Sequence, residues 1–183
     1  MAFARLAFRV LFILLILLAV IGLLLPSSTA VERSIVIDAA PAKVFPHLNG
    51  MRAFHAWSPW SAIDPETVYE FSGPEQGVGS RMSWYSGNQQ VGQGSQEITV
   101  SQPHRKVETS LVFGDKGNGT ATFVLEPDGS ATRVRWQFST EFGWDLFGRY
   151  VGLLLDNMIG TQYDTGLKDL KAMVERTNAP PQS

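Results

Sequence analysis

Six short segments between Thr67 and Thr140 alternate apolar with polar residues, and a single long helical pattern follows them. The segments are Thr67–Phe71, Val78–Ser86, Val91–Ser101, Lys106–Phe113, Gly119–Glu126 and Ala131–Thr140. Ser72-Gly73-Pro74, Gly87-Asn88, Gln102-Pro103-His104, Lys116-Gly117 and Asp128-Gly129 lie between them. Links this short cannot carry a crossover, so sequence neighbours must pair antiparallel. Met82 and Trp84, Val107, Leu111 and Phe113, Ala121, Phe123 and Leu125, and Val134, Trp136 and Phe138 share one face. Arg81, Glu108, Thr122, Arg133, Arg135 and Gln137 alternate with them. A sheet with one dry and one wet face needs a cover on one side only. The cover is Leu146–Val174, which lacks Pro and repeats Phe147, Val151, Leu154, Met158, Tyr163, Leu167, Leu170 and Val174 at helical spacing. Its glycines 148, 152, 160 and 166 each cost a helix about 1 kcal/mol against Ala. Close approach to the sheet explains them best; flexing over a cavity is the other reading.

Upstream, Arg33, Ile35 and Ile37 fall on one side of a further strand. A short helix with Val44, Phe45 and Leu48 buried follows, kinked by Pro46, and then a helical turn over Met51–Ala56.

The N-terminus is a different material. Val10–Leu25 reads VLFILLILLAVIGLLL, with no charge and with Gly22 as its only member outside the apolar set. It spans roughly 24 Å as a helix, and Ala7 and Phe8 extend it towards the roughly 30 Å hydrocarbon core if Arg9 reaches back to the headgroups. A helix without a polar face does not suit the core of a small domain, so residues 8–25 are expected to cross a membrane. An uncleaved, single-pass anchor is the leading reading. Ser28-Thr29-Ala30 has the form of a signal-peptidase site, which keeps a secreted or periplasmic product cut near Ala30 as the alternative. In both cases Arg5 and Arg9 mark the cytoplasmic side and the rest of the chain lies across the membrane. The chain thus divides into 1–30, anchor or signal; 31–176, one folded domain; and 177–183, a disordered tail.

With 44% hydrophobic and 17% charged residues, the chain is far from a disordered composition. The absence of Cys removes disulfides, thiolate metal sites and Cys nucleophiles. Beyond residue 30 there are 13 basic and 17 acidic residues, a net charge of -4, the wrong sign for a nucleic-acid partner.

The stretches VERSIVIDAAPAKVF (31–45), WSPW (57–60), GVGSRMSWYS (77–86), GQGSQEI (92–98) and FGRYVGLLLDNMIGTQYDTGLKDLKAM (147–173) resemble the SRPBCC superfamily. Within it, the likeness is to the bacterial polyketide cyclase/dehydrase and lipid-transport type, some of which carry an N-terminal membrane helix. It covers nearly the whole chain after residue 30, with Pro46 a departure in the first helix. It implies a START-like helix-grip fold of the α+β class. In that fold a curved antiparallel sheet of about seven strands wraps a long C-terminal helix around an apolar cavity. The ligand implied is a hydrophobic small molecule. No reaction is implied, because the superfamily holds carriers, sensors and enzymes.

The residues then supply a candidate lining. Trp57 and Trp60 flank a Ser-Pro at the expected mouth. Met82, Trp84, Leu111, Phe113, Phe123, Trp136 and Phe138 come from the sheet, and Phe147, Val151, Leu154 and Met158 from the helix. Catalytic signals are weak. There is no Gly-x-Ser-x-Gly elbow and no Walker loop. His47 and His55 lie eight apart across Gly50 and cannot share a helix turn, so neither a metal nor a cofactor is expected. Asp156, beside Leu153–Leu155, is read first as a surface or capping residue; the other reading is an acid or base whose pKa an apolar cavity would raise. The expectation is membrane-tethered binding or transport of a lipid or polyketide-like molecule. A cyclase- or dehydratase-type enzyme is one alternative, and a sensory or partner-binding domain with a filled cavity is another.

Overall fold

The computed structural model describes residues 2–114 and 117–178. Helix α1 (Ala2–Leu24) leads into strand β1 (Ser28–Ile37). Two short helices follow, α2 (Pro41–Val44), which passes into a 3-10 turn over Phe45–His47, and α3 (Met51–His55). A second 3-10 turn, Pro59–Ala62, precedes six strands: β2 (Val68–Ser72), β3 (Arg81–Tyr85), β4 (Gln93–Gln102), β5 (Lys106–Val112), β6 (Asn118–Asp128) and β7 (Ala131–Glu141). Helices α4 (Leu146–Gly152) and α5 (Leu155–Asn178) close the chain. Of the expected tail, residues 179–183 lie outside the described residues, as does the Lys116 turn position.

All neighbours pair antiparallel, in the order β1-β7-β6-β5-β4-β3-β2. This is the helix-grip architecture: α5 lies across the inner face of the curved sheet, and Tyr163, Leu167, Leu170 and Val174 are buried against it. The register gives the sheet two ends. Ser28 pairs with Glu141, Val112 with Asn118, Ser95 with Val112, and Tyr85 with both Gln93 and Val68. These positions share the end next to α1, called proximal below. The short helices α2 and α3 sit at the other, distal end.

Several local outcomes differ from the sequence expectation. Strand β1 starts at Ser28, so three residues grouped with the membrane segment already belong to the sheet. A bulge in β4 between Ile98 and Val100 places Val100 opposite Glu108 on the outer face, although alternation puts it beside Ile98. The long C-terminal pattern is two helices. At the break, Leu153 and Leu154 donate to Tyr150 and Val151, three residues back, which tightens the last turn after Gly152.

The glycines of this region explain why α4 leaves the line of α5. A Cβ at Gly148 or Gly152 would strike the Phe142 ring, and one at Gly166 would strike Pro59 and Trp136. Close approach is therefore the reason for them. Helix α4 turns aside to pack on α1. The Gly22 cradle takes Tyr150 and Leu146, the Tyr150 hydroxyl donates to the Leu18 carbonyl at 2.6 Å, and the Arg149 guanidinium donates to the carbonyls of Gly22, Leu23 and Leu25 at 3.0 to 3.3 Å. Phe3–Leu24 is the one helical stretch among the described residues that is long and apolar enough to cross a membrane.

Candidate functional site

The centre of the inner face is packed with aromatic rings. Trp136, in β7, is 1% exposed and stacks on Tyr163 of α5 with ring centroids 3.7 Å apart and planes 14° apart. Phe123 lies at 4.9 Å, and Trp57, Trp60 and Phe54 meet the indole edge-on at 5.4 to 6.0 Å. The sequence places Trp57 and Trp60 at a cavity mouth, and the structure corrects this. Trp57 sits at the close of α3, where its amide donates to the Phe54 carbonyl, and its indole donates to the His47 carbonyl at 2.9 Å from within the core; Trp60 lies in the 3-10 turn that Pro59 opens. Trp60 is half-buried between Trp136 and Tyr163. Burial pushes the Tyr163 phenol pKa upward, so the hydroxyl stays protonated. The Trp136 indole N–H is buried and has no acceptor among the described residues.

Towards the proximal end the inner face carries three more rings. Trp84, Phe113 and Phe138 form an edge-to-face chain with centroids 6.3 and 6.1 Å apart, and Trp84 and Phe113 are only partly buried. Trp84 lies over Gly94 and Phe138 over Gly119, where any side chain would displace the rings. Between this chain and the central stack sit Met82, Leu111 and one polar spot, Gln96 donating to Thr109 at 2.9 Å, with Thr109 donating on to Ala121. The polar pair was not foreseen, since only its inward alternation slots in β4 and β5 could have signalled it.

The helical half of the expected lining is not brought to the sheet. Phe147 is 78% exposed, Leu154 55% and Met158 60%, while Val151 is half-buried. The bend at Leu153–Leu154 leaves Phe147 and Leu154 outside, and on α5 the covering face runs through Leu155, Ile159 and Tyr163, which leaves Met158 off it.

Asp156 is exposed in the first turn of α5. Arg33, on the inner side of β1, reaches across Gly160 and donates to both Asp156 oxygens at 2.9 and 3.0 Å and to Asp164 at 3.3 Å. The guanidinium beside it holds the Asp156 carboxyl below the usual carboxylate range, the opposite of what an acid–base group at neutral pH needs. Arg81 and Arg135 face outward and pair with Glu97 and Glu126. His55 shares a 2.9 Å contact with Ser61 between Tyr69 and Phe71, and burial lowers its pKa. Ser61 donates to the His55 carbonyl at 3.0 Å, which makes this a local turn lock. Among the described residues no three His, Asp or Glu side chains are grouped to hold a metal ion.

Residues 28–175 match the family model described as polyketide cyclase/dehydrase and lipid transport, and the chain belongs to that family. Solved structures with the same fold include TTHA0849 from Thermus thermophilus, with 19% identity and a TM-score of 0.60, over 82% of this chain and 99% of that one. Another, from Arthrobacter aurescens, has 18% identity and a TM-score of 0.55, over 78% and 86%. Norcoclaurine synthase from Thalictrum flavum, in complex with dopamine and hydroxybenzaldehyde, has 11% identity and a TM-score of 0.60, over 84% and 90%. No curated protein matches the chain.

Proposed function

We propose that this protein binds a hydrophobic small molecule, a lipid or a polyketide-like ring system, at the proximal end of its sheet, while α1 anchors it in the membrane with its N-terminus in the cytoplasm. The observation that carries the reading is the edge-to-face chain of Trp84 and Phe113, both only partly buried, on the buried Phe138, at the end of the sheet where α1 joins. Apolar area covered there is worth about 25 cal/mol per Å2. The family supports a hydrophobic ligand in general. The packing of Gly22, Leu18 and Leu23 against α4 supports an uncleaved anchor, because cutting near Ala30 would remove that joint and the first three residues of β1.

Native mass spectrometry of the full chain, released from mild detergent, tests the proposal. An apolar mass should co-purify, and brominated fatty acid should quench wild type more than the Trp84→Phe variant. A second reading, a sensory or partner-binding domain, is favoured by the Trp136–Tyr163 stack that fills the centre. A chain that carries no mass and shows no Trp84-dependent quenching would leave that second reading standing.

A further inference from the structure

We infer that the elbow between α4 and α5 is a second membrane contact, seated in the headgroup–acyl boundary of the leaflet where α1 emerges. The inference rests on the anchor reading above and adds to it a surface that sets the height and tilt of the domain. Five large apolar side chains stand in solvent within fifteen residues: Trp144 at 85%, Phe147 at 78%, Leu153 at 58%, Leu154 at 55% and Met158 at 60% exposure. A water-soluble surface has no use for such a patch, and its position names what covers it.

Depth is the deciding observation. Tyr150 bonds the carbonyl of Leu18, seven residues before Leu25, so α4 lies alongside α1 for about 10 Å of helix axis. Amphipathic helices that lie in a membrane interface bury their apolar face about 5–10 Å. With α1 across the bilayer, α4 therefore cannot clear the lipid.

The charges nearby are compatible with that setting. Arg149, the only charged residue of α4, satisfies the carbonyls that end α1, which lack partners inside their own helix and are costly to leave bare near lipid. Asp145 accepts from the Gly148 amide at 3.0 Å and caps α4. Asp156, at the start of α5, is held by Arg33. Trp144 has the amphipathic ring that is enriched at membrane interfaces.

The Cys-free chain allows single nitroxide labels at Ile13→Cys, Phe147→Cys, Leu154→Cys and Asp128→Cys, with the full chain in phosphatidylcholine/phosphatidylglycerol vesicles. Asp128, at the distal end of β6, is the aqueous reference. Relative exposure to oxygen and to a water-soluble nickel chelate should place labels 147 and 154 several-fold towards oxygen compared with 128, and short of 13. If 147 and 154 match 128 while 13 reads as buried in lipid, the elbow contact is overturned and the anchor stands. If 13 itself is reached by the nickel chelate, the anchor fails and the elbow contact fails with it.

Discussion

Replacing Trp136 separates two properties of the central stack, its packing and its unpartnered N–H. The side chain is 1% exposed, so Trp136→Ala gives up nearly all of the indole, about 200 Å2 of buried surface. At 25 cal/mol per Å2 this is about 5 kcal/mol, and measured Trp→Ala losses in cores run about 3–5 kcal/mol. Trp136→Phe should behave differently. It keeps the stack on Tyr163 and loses roughly one ring edge, a cost of about 1–2 kcal/mol. It also removes a buried N–H without an acceptor among the described residues, which relieves a penalty of about 1–3 kcal/mol. The two effects offset, so Phe should stay within about 1 kcal/mol of wild type while Ala loses about 4. Urea unfolding of the full chain in detergent, followed by far-UV circular dichroism, measures both. A Phe variant as damaged as the Ala variant would refute the reasoning and show that the indole N–H is bonded in the folded protein.

Gly22→Leu should prise α4 off α1, because even a Cβ there would sit 3.2 Å from the Tyr150 ring; the spin–spin distance between labels at Leu15→Cys and Phe147→Cys should lengthen. Arg149→Met should lower the Tm in detergent by removing the donor shared by the Gly22, Leu23, Leu25 and Gly143 carbonyls, at a cost of about 1–3 kcal/mol, and Arg149→Lys should restore little, since one ammonium cannot span the same set. Asp156 is more ionised at low pH when folded than when unfolded, so its pairing with Arg33 contributes stability above about pH 4 and loses it as pH falls through the lowered pKa. Thermal melts of wild type and Asp156→Asn should therefore differ slightly at pH 7 and converge in acid, with ligand quenching unchanged throughout.

The sheet was legible because alternation and turn residues are local signals, and β5, β6 and β7 fall close to their expected ranges. The β4 bulge left no such trace: one extra residue at Thr99 reverses the side taken by Val100 without altering its surroundings in the chain. The helix stripe misled for a different reason. Its periodicity runs unbroken through Leu153–Leu154, but the chain bends there and α5 covers the sheet with Leu155, Ile159 and Tyr163, one position off the Leu154–Met158 line. The ion-pair partner of Asp156 was not legible, because Arg33 lies 123 residues away. Two clues were present, a basic residue in the inward column of β1 and a glycine, Gly160, flanked four residues each way by Asp156 and Asp164. Trp57 and Trp60 looked like loop residues, but Trp57 is buried at the close of α3 and Trp60, in the 3-10 turn, packs half-buried against the central stack.

The junction between α1 and β1 has no slack. Leu25, Pro26 and Ser27 are all that separates them, the Leu25 amide still bonds back to Ile21, and the Ser27 carbonyl is taken by the Phe142 amide at 2.7 Å. A long flexible leash would let a domain wander tens of ångströms and ferry cargo across an aqueous gap. Three residues, with Leu25 and Ser27 hydrogen-bonded, forbid that. On the anchor and ligand readings proposed above, this domain is a fixture of the membrane surface, and whatever gives it a ligand or takes one from it must come to that surface.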